Sequence, residues 1–118
     1  MAEKLCDVKG TGGGKQYFET LQSLPVNSTY KIAMGFKPKA FSCGYLYNSN
    51  FTCFIHYDAS IYTDKALVMV NFGGGITTIW TDIGTQAGTY VTSIDNDGAT
   101  IVTGGTGASA NFCCTAVG

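Results

Sequence analysis

Tyr90-Val91-Thr92-Ser93-Ile94-Asp95-Asn96-Asp97-Gly98-Ala99-Thr100-Ile101-Val102 is the stretch that decides the fold. Branched and aromatic residues on both sides suit a pleated surface. The four residues between them, Asp95 to Gly98, reverse the chain because Asn, Asp and Gly tolerate positive φ. The stretch reads as a β-hairpin. Its acidic turn lacks the further ligands of a calcium loop, so Asp95 and Asp97 are read as turn residues.

The same alternation extends outward on both sides. Tyr30, Ile32 and Met34 alternate with Lys31 and Ala33, giving a half-buried strand that Gly35-Phe36-Lys37-Pro38-Lys39 ends in a rigid corner. Phe41, Cys43, Tyr45 and Tyr47 then share one face of a strand ending at Asn48-Ser49-Asn50. In Phe51 to Asp58, Phe51, Cys53, Ile55 and Tyr57 fall on one face and Thr52, Phe54, His56 and Asp58 on the other. The Asn-Ser-Asn link makes these two strands a hairpin. Ala66 to Val70 is a continuous apolar run, expected as a central strand covered on both sides, and Gly73-Gly74-Gly75 ends it. Ile76 to Thr81, carrying Trp80, and Asn111 to Val117 complete the pattern. The expected fold is all-β, an antiparallel β-sandwich or jelly-roll-like arrangement of about eight short strands with little or no helix.

Residues 1–29 read differently from residues 30–118, the sandwich domain. They form a Gly- and Lys-containing segment, expected as an attachment arm or an edge element. Gly10-Thr11-Gly12-Gly13-Gly14-Lys15 has the look of a phosphate loop, but Lys9 stands where the first Gly belongs and Gln16 where the magnesium-binding Ser or Thr belongs. It is read as a flexible loop or linker. Gln16 to Leu24 fits a short helix through Phe18, Leu21 and Leu24 about as well as an alternating strand; extended structure is the reading taken here, and Pro25 closes either one.

Composition narrows the function classes. The 118 residues suit one domain. Sixteen glycines, two prolines, seven Tyr, seven Phe and one Trp favour short strands joined by Gly-rich turns. Net charge is −1 but unevenly spread. Residues 1–39 hold six Lys against Glu3, Asp7 and Glu19, and residues 40–118 hold Lys65 against five Asp. With no Arg and no concentrated basic face, nucleic acid is not an expected partner. No apolar run approaches the roughly 20 residues that span a bilayer, and residues 1–7 show no apolar signal region, so no membrane insertion is expected and folding in a cytosol is. On that reading the sequons Asn27-Ser28-Thr29 and Asn50-Phe51-Thr52 are chance matches, and the five cysteines are buried thiols. Cys113 and Cys114, adjacent in a strand, face opposite ways.

No catalytic constellation is legible. The single histidine, His56, shares its expected face with Thr52 and Asp58 rather than with Cys53, and Cys43 approaches it only across the hairpin. There is no Cys-x-x-Cys or His-x-x-x-His pair, so neither a metal nor another cofactor is expected. Carbohydrate recognition is the remaining chemistry. It uses exposed aromatic platforms beside Asn and Asp, and Tyr45, Tyr47, Asn48, Asn50, Tyr57 and Asp58 are the candidate ligand-binding residues, with Tyr62 and Trp80 as further aromatics. The competing reading places most of these rings in the core of a sandwich poor in leucine.

Three stretches together resemble a small β-module of bacteriophage virion proteins of the tail-fibre-tip and minor structural type. They are Ile32 to Phe41 with its Gly35-Phe36-Lys37-Pro38-Lys39 corner, Ser93 to Ile101 with Asp95-Asn96-Asp97-Gly98, and Asn111 to Gly118 ending Ala116-Val117-Gly118. The resemblance covers roughly residues 30–118. Ala99 stands where that module usually has an aromatic, and Cys113-Cys114 where tyrosines are common. The resemblance implies a non-enzymatic virion accessory at the capsid surface, neck or tail, assembled in the host cytoplasm. Its implied partners are other virion proteins, further copies of itself in a homo-oligomer, and a host-surface glycan.

Overall fold

The computed structural model describes residues 14–21, 25, 27–47, 50–72, 75–86, 88–103 and 111–118. Among them the chain forms nine strands and no helix: β1 Gln16–Leu21, β2 Thr29–Ala33, β3 Ala40–Tyr47, β4 Asn50–Asp58, β5 Lys65–Phe72, β6 Gly75–Asp82, β7 Tyr90–Asp95, β8 Gly98–Val102 and β9 Phe112–Val117. A six-stranded sheet runs β1-β9-β3-β4-β5-β6 and a three-stranded sheet runs β2-β8-β7, with every pairing antiparallel. This is the sandwich of the two expected architectures, divided six and three rather than into the paired sheets of a jelly roll. The ninth strand is β1. It lies in the segment expected as an arm or edge element, and it forms one edge of the large sheet.

One core lies between the sheets. Ile32, Val91, Ala99 and Ile101 of the small sheet meet Phe41, Cys43, Ile55, Val68, Phe112, Cys114 and Ala116 of the large one. Tyr30 meets Phe112 edge-on across the sandwich, with ring centroids 5.9 Å apart. Each fully buried aliphatic or Phe side chain here stabilises by roughly 1.5–3 kcal/mol.

The hairpin is β7–β8, and its turn is a structural hub. The Asp95 carboxylate accepts from the Asp97 N–H at 3.2 Å, an Asx turn that sets the reversal. The Asp97 carbonyl then accepts from the N–H groups of Met34, at 2.8 Å, and Gly35, at 3.0 Å, where the chain leaves β2. Gly35 takes φ +85°, which only glycine adopts without cost. Gly98 lies so close to β2 that a Cβ on it would stand 1.9 Å from the Ile32 carbonyl oxygen. The corner that follows buries Phe36 and Pro38, and its end is tied to β9 by Lys39 N–H to the Val117 carbonyl at 2.7 Å. Gly118 closes the same knot, packed over the Phe36 ring.

Two sequence expectations need correction. Alternation through β4 fails at a β-bulge: Cys43 pairs with Ile55 and Gly44 with Cys53, so Phe54 is the extra residue. Phe54 and Ile55 are therefore both buried while Cys53 is exposed, the reverse of the expected facing for Cys53 and Phe54. Among the described residues, strand β5 is covered on one side only. Ala66 and Val68 are buried against the small sheet, whereas Leu67 on the opposite face is only half-buried, because no second layer among the described residues lies over it.

Candidate functional site

The described candidate ligand residues fall at opposite ends of the β3–β4 hairpin. Register places Tyr47 opposite Asn50 and Tyr45 opposite Thr52 at the far end of the β3–β4 hairpin, whereas Tyr57 pairs with Phe41 and Asp58 with Ala40 at its base. From Asn50 to Asp58 the strand advances by roughly 26 Å. Asn48 lies outside the described residues, and the side chains of Tyr45, Tyr47 and Asn50 are likewise outside them. Tyr57 is a core residue, 3% exposed, with its ring 5.5 Å from that of Phe41 and its hydroxyl donating to the Thr63 carbonyl. Burial pushes its phenol pKa up, with Asp58 and Asp64 adding to the effect. It offers no surface platform. Asp58 accepts from the Ser60 hydroxyl at 2.6 Å and the Ser60 N–H at 2.9 Å, and these bonds hold its carboxyl below the usual range. Its role is to cap the β4–β5 loop.

What the structure does assemble is the outer face of the six-stranded sheet, the face turned away from β2, β7 and β8. Directly paired positions run across all six strands: Phe18 opposite Thr115, Thr115 opposite Ser42, Ser42 opposite His56, His56 opposite Leu67 and Leu67 opposite Trp80. Phe18 at one end is 60% exposed. At the other end, Trp80 meets Tyr62 of the β4–β5 loop edge-on at 5.0 Å, and Tyr62 is 39% exposed beside an exposed Ile61. The Lys65 ammonium stands 5.8 Å above the Tyr62 ring and pairs with the Asp82 carboxylate, which raises the Lys65 pKa. This corner combines two aromatic rings with a cation and a carboxylate, the combination sugar recognition uses. Tyr62 and Trp80 were legible as aromatics; their meeting was not, since it depends on the path of the β4–β5 loop.

His56 sits in the middle of the row. Its Nδ1 lies 2.7 Å from the Ser42 Oγ, a hydrogen-bonded cross-strand pair. Cys43 faces the core and is nowhere near the ring, while the bulge turns Cys53 to the outer face, where its thiol donates to the Ile55 carbonyl at 3.3 Å. Partial burial raises the Cys53 pKa, so it is a weak nucleophile near neutral pH. Ser42 lies on an interior strand with ladder neighbours on both sides, a setting that offers no nest of free N–H groups for an oxyanion. The pair reads as a polar link between β3 and β4. Among the described residues no group of three His, Cys, Asp or Glu is placed to hold a metal ion, and no helix is long and apolar enough to cross a membrane.

Two other polar clusters hold the fold. Glu19 on β1 accepts from the hydroxyls of Tyr17 and Tyr30, which ties the edge of the large sheet to β2, and burial followed by Glu19 pushes the Tyr17 phenol pKa up. The Lys31 ammonium bridges Asp97 at 2.8 Å and Asp95 at 3.0 Å, so the hairpin acids are an ion cluster with β2. Compared with known proteins, the chain matches no family model, no curated protein and no solved structure.

Proposed function

We propose that the chain is a non-enzymatic building block of a bacteriophage virion, a capsid-surface, neck or tail accessory that assembles through the outer face of its large sheet. The observation that carries this reading is the row from Phe18 to Trp80. It crosses six strands, holds no Lys, Asp or Glu, and runs from the exposed Phe18 on β1 to the half-buried Trp80 on β6, which packs against the exposed Tyr62. A sheet face of this kind, with no second layer over it among the described residues, suits burial against another subunit better than permanent hydration.

The resemblance to phage virion modules gains a physical rationale from the same structure. The Gly35–Lys39 corner, the Asp95–Gly98 turn and the Ala116–Gly118 terminus, which carry the resemblance, meet in one knot of backbone bonds and close packing. Their meeting supports reading the three stretches as one structural unit rather than as a ligand site. The test is particle association. The chain should copurify with intact virions through density-gradient sedimentation and be identified there by mass spectrometry; its absence from washed particles would refute the virion reading. Light scattering on the purified chain should give a defined oligomer that Phe18→Asp or Leu67→Asp dissociates.

A second reading, a carbohydrate-binding sandwich, is favoured by the Tyr62–Trp80 corner with Lys65 and Asp82. Retention on a glycan surface that Trp80→Ala abolishes, in a monomer that sediments without particles, would select it.

A further inference from the structure

The chain contains four described cysteines, and strand register sorts them into two kinds. Cys53 and Cys113 both pair with Gly44, one from each side, so a whole strand separates them. Their Cα atoms are then roughly 9–10 Å apart, beyond the reach of a disulfide. Cys43 and Cys114 are different. They pair directly, β3 against β9, and both side chains face the core, 0% and 1% exposed.

The type of pairing follows from two backbone bonds at the end of β9. Gly118 N–H donates to the Lys15 carbonyl on the β1 side at 2.9 Å, and the Val117 carbonyl accepts from Lys39 on the β3 side at 2.7 Å. Backbone direction alternates along a strand, so Cys114 and Ala116 point their N–H and C=O groups at β1, and Cys113 and Thr115 point theirs at β3. Opposite β3, Cys43 and Cys114 are therefore a non-hydrogen-bonded pair, the narrow kind with Cα atoms about 4.5 Å apart and side chains closest. That separation falls within the range of about 4.4–6.8 Å that disulfides span.

We propose that Cys43 and Cys114 are a disulfide-forming pair, free in a reducing compartment and joined when the chain folds against a low-molecular-weight disulfide. One thiol, as thiolate, attacks the small disulfide and expels one small thiol. The second thiolate attacks the resulting mixed disulfide at the Cys sulfur and expels the other. The protein loses two hydrogens, two electrons pass to the small disulfide, and two small thiols leave. Burial, then the neighbouring Cys114 thiol, hold the Cys43 pKa well up. The closed native core therefore resists the exchange, and the bond forms during folding, before the small sheet covers the pair. Once formed, it ties β9 to β3 across a long loop and constrains the unfolded chain.

The test uses full-length protein carrying Cys6→Ser, Cys53→Ser and Cys113→Ser, refolded with oxidised and reduced glutathione or with reductant alone. The glutathione-refolded form is expected to take up no iodoacetamide after denaturation and to weigh two hydrogens less than the reduced form. It should remain a single unlinked chain and melt on the order of 10 °C higher. Free thiols at both positions, links only between chains, or an oxidised form that melts no higher would each overturn the proposal. Non-reducing peptide mapping of wild-type protein refolded the same way guards against a folding defect in the variant. A dominant Cys43–Cys114 peptide supports the pair, and any other dominant linkage refutes it.

Discussion

Gly98 shows how much one hydrogen atom can decide. Its φ of +151° and the Ile32 carbonyl in the space of its missing side chain leave no room for a methyl group. Gly98→Ala should therefore cost about 3 kcal/mol or more, read as a shift in the urea midpoint, or leave no soluble protein. A loss below about 1 kcal/mol would mean that β2 and β8 separate easily. Asp95 offers a pH test. The hydrogen bond with the Asp97 side chain, and then Lys31, lower its pKa to about 2. An unfolded Asp titrates near 3.9, so the stability linked to this group is fully present above that pH and is lost as the pH falls towards 2. Asp95→Asn should lower the melting temperature at pH 7 and flatten its fall between about pH 4 and about pH 2, as scanning calorimetry can check. The hairpin residues were legible because turn chemistry is local. That Gly98 is bound by steric need was not, because the obstructing oxygen belongs to a residue far away in sequence.

At the scale of elements, alternation identified β2 and β3 and turn chemistry identified the β7–β8 hairpin, whose own ladder is irregular at Thr92, while alternation through β4 failed at its bulge. The bulge at Phe54 leaves no mark in composition, since Phe51 to Asp58 alternates acceptably either way. It decides which thiol meets solvent. Brief alkylation of native protein, followed by peptide mapping, should modify Cys53 well ahead of Cys43, Cys113 and Cys114. The rate should climb as the pH rises, because the Cys53 pKa is raised. Equal labelling of Cys53 and Cys43 would contradict the bulged register. Phe54→Ala removes a ring that is 7% exposed and edge-on to Phe112 at 6.2 Å, and should destabilise by about 3–5 kcal/mol in chemical denaturation. β1 shows a second limit. Gln16 to Leu24 fits a helix through Phe18, Leu21 and Leu24 about as well as an alternating strand, and over Gln16–Leu21 the choice is made by β9, whose free side accepts these residues in full register. Facing and strand order, not residue type, also place Tyr57 inside and carry Asp58 away from the hairpin tip.

For the whole molecule, the large sheet offers, among the described residues, two edges, β1 and β6, and one open face, and these set what assembly requires. Removing residues 1–28 would delete β1 together with anything the preceding residues do, so the informative truncation stops at residue 13. Light scattering should find the oligomer intact if the outer face carries assembly, and dissociated if the first thirteen residues carry it. The order of the strands has a consequence for how such a chain is made. Strand β9 fills the slot between β1 and β3, yet it is the last of the nine to leave the ribosome. Until it emerges, β1 has no neighbour among the described strands, one side of β3 is bare, and Phe112, Cys114 and Ala116 are missing from the core. The nascent chain must therefore wait, its early strands exposed to chaperones, and close only after β9 has been synthesised.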